Sequence, residues 1–443
     1  MTKMTMPLIY LTALVSMTCM SYADNNTIVN EVMPGSHNNG TWIYDSTFDS
    51  SGNKGVVQAG MFLTQLQAYN NTAAQRSNFN SQFNQVFSYG GDMEMYCDGG
   101  EGGQDTNACG YNSLLLVYYP PSMFNKSYDS DTVAQILSQF GDSGFSSVNR
   151  YAGLTYQNSS GVSQKVQTIV DIDGRVDMPA SADYLNELNS MPQSDAVQFA
   201  DKVAAQICAD DNISGVQFDI EPFSFLGTKG TVTGPGQKYF YTEISKDFAG
   251  NYSGANWPNP SPSKDVLHCV DAAHPYGRVF SVFTFSGAIA EDPNDIQSVF
   301  GSTSVYQNGF MVDSLYDLGP NPGGTVNSPA DYTAYVAAEA TTFEKYADQY
   351  GIPYQYAIPA AASAHEFESK AGVATGYQEL SYTQAALGYI NTNQAIVGDP
   401  LFKGINVWGW VQAMWWHGDH YTPDNVASDP TVESYLESQL GSH

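Results

Sequence analysis

The chain has 443 residues, 42% hydrophobic and only 14% charged, and its 45 acidic side chains against 16 basic ones leave a net charge of −29. That charge excludes nucleic acid and anionic membrane surfaces as natural partners, since both are themselves anionic. Neutral glycans remain, and 30 Tyr, 22 Phe and 6 Trp supply flat apolar faces of the kind that stack on sugar rings.

The N-terminus has the parts of a secretory signal peptide over residues 1–23: Met1-Thr-Lys-Met, an apolar run from Pro7 to Val15, and small Ser21 and Ala23 around Tyr22. Cys19, in Ser16-Met-Thr-Cys19, sits in a poor lipidation box. No later apolar stretch is long enough to span a bilayer. The expected product is an exported protein, extracellular or periplasmic, with no membrane insertion and working as a monomer. Without Cys19, four cysteines remain: Cys97, Cys109, Cys208 and Cys269. An even count in an exported chain suggests disulfides. Cys97 and Cys109 flank a glycine-rich loop and form the natural pair, which leaves Cys208 to Cys269 by elimination. Zinc is the weaker reading, because no C-x-x-C pair occurs. Asn39, Asn125, Asn158, Asn212 and Asn251 head Asn-x-Ser/Thr sequons.

Residues 24–110 form an N-terminal segment. A polar stretch, 24–40, precedes strand candidates Thr41 to Phe48 and Gln85 to Tyr96, with a helix between them and the glycine-rich loop Asp98 to Gly110 after them. The segment reads either as the first strand or two of the main fold or as an elaboration on it. From 111 onward strands and helices alternate. Ser113 to Tyr119 reads as a buried strand stopped by Pro120-Pro121, and Asp131 to Phe140 as a capped amphipathic helix. Strand patterns follow at Ser146 to Leu154 and Lys165 to Ile172, without a helix between them, as in a hairpin. Helical patterns at Ala182 to Asn189 and Ser194 to Ala209 lead to a strand at 215–222; helix Gly236 to Phe248 leads to strand Arg278 to Phe285. Strand Gly309 to Tyr316, helix Ala330 to Tyr350, strand Tyr354 to Pro359, helix Thr383 to Thr392 and strand Gly404 to Trp410 complete the series. This alternation predicts a parallel sheet, closed at this length into a (β/α)8 TIM-type barrel over 111–443, with an N-terminal elaboration and long loops.

The chemistry concentrates at Gly215-Val-Gln-Phe-Asp-Ile-Glu-Pro222. Alternation puts Val216, Phe218 and Ile220 in one row, which packs, and Gln217, Asp219 and Glu221 in the other, which is wholly polar. Two carboxylates on a buried strand are costly unless they are hydrogen-bonded or lie in a cleft, and a catalytic cleft is the economical explanation. Barrel enzymes place that cleft at the C-terminal ends of their strands. Two residues apart, Asp219 and Glu221 are within reach of a shared proton, which raises one pKa and keeps that group protonated as a general acid. Glu221, nearer the strand's end, is the expected acid.

Ser214-Gly215-Val216-Gln217-Phe218-Asp219-Ile220-Glu221 resembles the D-G-x-D-x-D-x-E signature of glycoside hydrolase family 18, the chitinases and endo-β-N-acetylglucosaminidases. Ser214 and Gln217 stand where that family usually has aspartates. Ser314-Leu-Tyr316-Asp317 resembles its M-x-Y-D strand without the Met, and Asp171-Ile-Asp173-Gly174 occupies the place of its S-x-G-G strand. Asn406-Val-Trp408-Gly-Trp410 lies on the last strand, one row holding Asn406, Trp408 and Trp410. The resemblance implies substrate-assisted retaining hydrolysis of β-linked N-acetylglucosamine in chitin or an N-glycan core, with no cofactor. It implies Glu221 as proton donor, Asp219 as the group that orients the substrate acetamide, Tyr316 and Asp317 as its hydrogen-bonding partners, and Trp408 as the floor under the sugar. Gln217, Asn406, Trp410, Asp171 and Asp173 are further substrate-binding candidates.

Each piece also has a plainer reading. Tyr316-Asp317 reads equally as a strand end and turn, Trp408 as a core residue, Asp171 and Asp173 as a turn, and His417-Gly-Asp419-His420 as a solvated loop in preference to a metal site. Two other functions compete with the first. One is a two-carboxylate retaining glycosidase using Glu221 as acid/base and Glu366, after the seventh strand, as nucleophile. The other is a non-hydrolytic, lectin-like barrel, motivated by Gln217 and opposed by the presence of both Asp219 and Glu221.

Overall fold

The structure is a computed structural model, and it describes residues 37–44, 54–89, 93–97, 114–118, 153–174, 191–220, 236–250, 267–291, 299–300, 309–316, 326, 328–360, 379–412, 415–416, 421–422 and 430–443. Its centre is a closed barrel of β1 (Gly40–Tyr44), β2 (Gln85–Tyr89), β3 (Gln167–Gly174), β4 (Gly215–Ile220), β5 (Val279–Thr284), β6 (Gly309–Asp313), β7 (Tyr354–Pro359) and β8 (Phe402–Gln412). Every strand pairs in parallel with its sequence neighbours, and β8 returns to β1. The connections carry α1 (Lys54–Gln75), α2 (Gln193–Cys208), α3 (Gly236–Phe248), α4 (Ser286–Glu291), α5 (Pro329–Tyr350), α6 (Glu379–Thr392) and α7 (Gln394–Val397), and α8 (Pro430–Gln439) follows β8. This is a (β/α)8 barrel.

Two sequence expectations change. The barrel begins at β1, not at residue 111: β1 and β2 come from the 24–110 segment, which therefore supplies the first two barrel strands, one of its two sequence readings. Leu114–Tyr118 is a strand, but it pairs antiparallel with Met93–Cys97 outside the barrel. An apolar run shows that a strand will be buried without naming its partner. The hairpin before β3 is formed by Thr155–Gln157 and Ser163–Lys165, not by the expected strands 146–154 and 165–172, and β3 itself pairs in parallel with β2 and β4. The helices expected at 131–140 and 182–189 and most of the strand at 146–154 lie outside the described residues, as do Cys109 and the glycine-rich loop.

β5, β6 and β7 are buried along their whole lengths, as expected of parallel strands covered by side chains within and helices without. On β4 the alternation holds. Phe218 meets Phe240 of α3 edge-on at 5.6 Å, and Phe240 stacks on Phe199 of α2 at 5.4 Å, so the apolar row faces the helices. Burying a phenylalanine in this way contributes roughly 1.5–3 kcal/mol. Gly215 lets β4 and β5 approach: a Cβ there would lie 2.2 Å from the Val279 carbonyl oxygen. At α5, Ser328 caps the N-terminus by accepting from the Asp331 amide at 3.1 Å, and Gly351 closes the C-terminus at φ 66°.

The Cys208–Cys269 disulfide is present and joins the end of α2 to the segment entering β5. Beside it Arg278, fully buried, donates to the carbonyls of Cys208, Asp210 and Ile213 and to Asp271. His274 takes part through both ring nitrogens: Nε2 lies 2.8 Å from Arg278 and Nδ1 3.0 Å from Asp271. A guanidinium only donates, so Nε2 accepts, Nδ1 carries the hydrogen and the ring is neutral. Among the described residues no helix is long and apolar enough to cross a membrane.

Candidate functional site

The barrel interior is layered. At the N-terminal end of the barrel a chain of side-chain amides crosses it. Gln85 donates to Gln167 at 2.9 Å, Gln355 to Gln85 at 2.9 Å and to the Asn38 carbonyl at 3.0 Å, and Asn406 to Gln355 at 2.9 Å. All four side chains are buried. Asn406 therefore belongs to this network, one layer below the aromatic groups that it was expected to join.

Above the amides lies an aromatic wall. Trp42 of β1 stacks on Phe87 of β2 at 4.9 Å and 13°, and reaches Phe283 of β5 at 5.4 Å and Trp408 of β8 at 5.2 Å. Tyr316, three residues beyond β6, lies flat on Trp408 and also stacks with Phe283 at 5.7 Å and 29°. The backbone of Tyr316 is fixed on both sides. Its amide donates to the Ala357 carbonyl of β7 at 3.0 Å, and the Tyr332 hydroxyl of α5 donates to the preceding carbonyl, Leu315, at 2.9 Å.

The polar wall is made by β3, β4 and β5. Asp171 stands across from Gln217, and Gln217 across from Ser281. All three are buried. The Ser281 hydroxyl donates to Gln217 Oε1, while Gln217 Nε2 has no hydrogen-bond partner among the described residues. An unmet buried donor costs roughly 1–3 kcal/mol. One step nearer the C-terminal ends, Asp173 and Asp219 are register partners, so the acid positions of β3 and β4 lie side by side along the two backbones. Glu221 directly follows β4 and Asp317 directly follows Tyr316; both lie outside the described residues, as do Glu366 and His417 to His420. Trp410 is placed within β8 by its backbone.

Beside this wall, on the helix side of β6, Asp313 is a further buried acid. Asp313 stands across from Thr284 and Tyr356, and burial, reinforced by the charge of Glu339, pushes its carboxyl well above the usual range. Glu339 in turn accepts from the Ser286 amide at 2.6 Å and hydroxyl at 2.8 Å. Among the described residues two groups of three acids could each gather around a cation: Asp201, Glu243 and Asp247 on α2 and α3, and Glu344, Asp348 and Asp399 on α5 and the turn before β8. Neither is in the barrel interior.

Sequence reasoning thus named one residue of the aromatic wall on β8, Trp408, and its partner after β6, Tyr316, and missed Trp42, Phe87, Phe283 and Ser281. Ser281 carried a signal, being a hydroxyl in the otherwise apolar Val279-Phe-Ser-Val-Phe run. Trp42 carried none beyond its size.

No protein-family model matches the sequence, and no curated protein matches it. Solved structures of glycoside hydrolases are distantly similar. A GH18 chitinase from Pseudoalteromonas aurantia aligns at 12% identity over 84% of this chain and 93% of its own, with a TM-score of 0.37. A GH5 mannosidase from Rhizomucor miehei aligns at 10% identity over 94% and 96%, with a TM-score of 0.40. A trimodular GH5_4 endoglucanase aligns at 8% identity over 91% of this chain, which spans 60% of that protein's length, with a TM-score of 0.41. Likeness this distant transfers neither mechanism nor substrate.

Proposed function

We propose that this protein is an exported glycoside hydrolase that cleaves β-linked N-acetylglucosamine glycans at the C-terminal mouth of its barrel. The observation that carries the reading is the meeting of Tyr316, just beyond β6, with Trp408 of β8, on the interior opposite the Asp171–Gln217 wall. A pyranose needs an apolar face on one side and hydrogen-bonding groups around its edge, and the interior is divided in that way. The disulfide supports export, since such bonds persist in oxidising compartments.

In this mechanism the Glu221 carboxyl gives its proton to the glycosidic oxygen as the bond to the anomeric carbon breaks. The carbonyl oxygen of the substrate's 2-acetamido group forms the replacing bond, and the Asp219 carboxylate balances the positive charge that develops on that group. Glu221, now a carboxylate, takes a proton from the water that opens the cyclic intermediate, and the configuration is retained.

The test is hydrolysis of a fluorogenic chitobioside and of a high-mannose glycoprotein by wild type and Glu221→Gln. Cleavage of either substrate, with a loss of about 10²-fold or more in the variant, is the expected result. Binding of chitin oligomers without cleavage would make the protein a lectin-like barrel, and absence of both would sink the reading.

A further inference from the structure

Gln217 lies in the middle of the polar wall, and one hydrogen bond decides how it can act. The Ser281 hydroxyl donates to Oε1, which turns the carbonyl end of the amide toward β5. The nitrogen is thereby turned away from β5, and on the other side β3 holds Asp171 in register with Gln217. Gln217 is wholly buried, and Nε2 meets no acceptor among the described residues. A buried N–H held in a fixed direction with no acceptor is arranged to receive an oxygen from outside the chain. An amide also does not titrate, so the donor is the same at every pH, whereas a carboxyl at this position would donate only while protonated.

We propose that Ser281 is a positioning residue that locks Gln217 as a permanent N–H donor to a neutral acceptor oxygen of the bound sugar. Resting on the glycosidase reading, this deepens it: the pair selects ligands that bring a carbonyl or hydroxyl oxygen to the β3–β4 side of the interior. Both sources share that acceptor chemistry. An acetamido carbonyl and a sugar hydroxyl are separated by using chitotetraose and cellotetraose as the two probes.

The experiment is calorimetric titration of each tetrasaccharide into the full chain carrying Glu221→Gln, which keeps the ligands intact, with Gln217→Met, Gln217→Glu and Ser281→Ala added in turn. Gln217→Met, similar in shape but without a donor, is expected to lose about tenfold in affinity. Ser281→Ala loses less, and adding it to Gln217→Met costs nothing more, since the serine acts only through the amide. Gln217→Glu binds progressively worse as pH rises and its carboxyl ionises, while Gln217 itself gives a flat profile. That pH profile is not moved by a merely structural fault, so it remains decisive where a variant lowers the melting temperature. Unchanged affinity in Gln217→Met, or equal pH profiles for Gln217 and Gln217→Glu, overturns the proposal and leaves the glycosidase reading standing. Failure of the Gln217 parent to bind either sugar removes that reading, and the proposal with it.

Discussion

The phenol ring of Tyr316 lies parallel to the indole of Trp408, with 4.1 Å between centroids and 3° between planes, and each side chain is 4% exposed. Phe283 also stacks with Tyr316, at 5.7 Å and 29°, so Tyr316 occupies a slot lined by two aromatic rings. Its backbone anchors at Ala357 and Leu315 leave side-chain rotation as the direct way to vacate that slot.

Tyr316→Ala is therefore expected to lower stability by roughly 3 kcal/mol, as large-to-small changes at buried aromatics do. Saturating chitotetraose should restore much of the loss, because a ligand occupying the vacated slot stabilises the folded state. Urea unfolding with and without sugar checks both. Tyr316→Phe, which keeps the ring, should stay within about 1 kcal/mol of wild type.

Glu221 and Glu366 separate the two hydrolytic mechanisms. Substrate-assisted chemistry expects Glu366→Ala to retain activity on the chitobioside while Glu221→Gln loses about 10²-fold or more. If Glu366→Ala abolishes turnover and added azide rescues it, a covalent nucleophile is at work and the acetamido mechanism is wrong.

The Asp271–His274–Arg278 latch makes stability fall with acid. Burial opposes ionisation of Asp271, but the His274 hydrogen bond and the Arg278 charge outweigh it and hold the carboxyl at about 2. A carboxylate depressed in the folded state contributes fully above its unfolded pKa and is lost as pH falls toward the folded value, here on the order of 2 kcal/mol between about pH 4 and pH 2. His274 acts in the same direction. Burial lowers its pKa, so below about pH 6.5 the unfolded chain takes up a proton that the folded chain resists. Urea midpoints from pH 7 to pH 3 should decline, and Asp271→Asn should flatten the lower part of that decline.

Cys208–Cys269 closes a loop with a sequence separation of 61. Replacing both cysteines by alanine is expected to cost roughly 4 kcal/mol by the loop-closure rule. Wild type unfolded in the presence of a reductant should approach the variant's midpoint; equal midpoints for oxidised wild type and the variant would show that the bond contributes little.

Much of the fold is written locally. The row of Val216 and Phe218 against Gln217 is a period-two pattern, and the pattern alone said that one face packs and the other is polar. The helix expected at Ala330 to Tyr350 forms as α5, Pro329–Tyr350, between a Ser328 cap and Gly351. Alternation of such elements implied a parallel barrel, because parallel strands need crossovers and helices provide them. The Cys208–Cys269 pair followed by elimination once Cys97 and Cys109 were paired across their glycine-rich loop; the count alone allows three pairings.

Other features depended on closure of the barrel. β1 and β2 carry no local mark that separates a barrel strand from an elaboration; that is decided by the bonding of β1 to both β2 and β8. Asn406 and Trp408 share a row on β8, yet register sends one into the amide chain with Gln355 and the other onto Tyr316. Trp42 meets Phe283 across the interior, a contact that no spacing in the sequence encodes. Alternation along a strand is set by the local backbone, so neighbouring residues are enough to tell apolar rows from polar ones. Which rows face one another is set by strand order and stagger around the closed barrel, which no single stretch of chain contains.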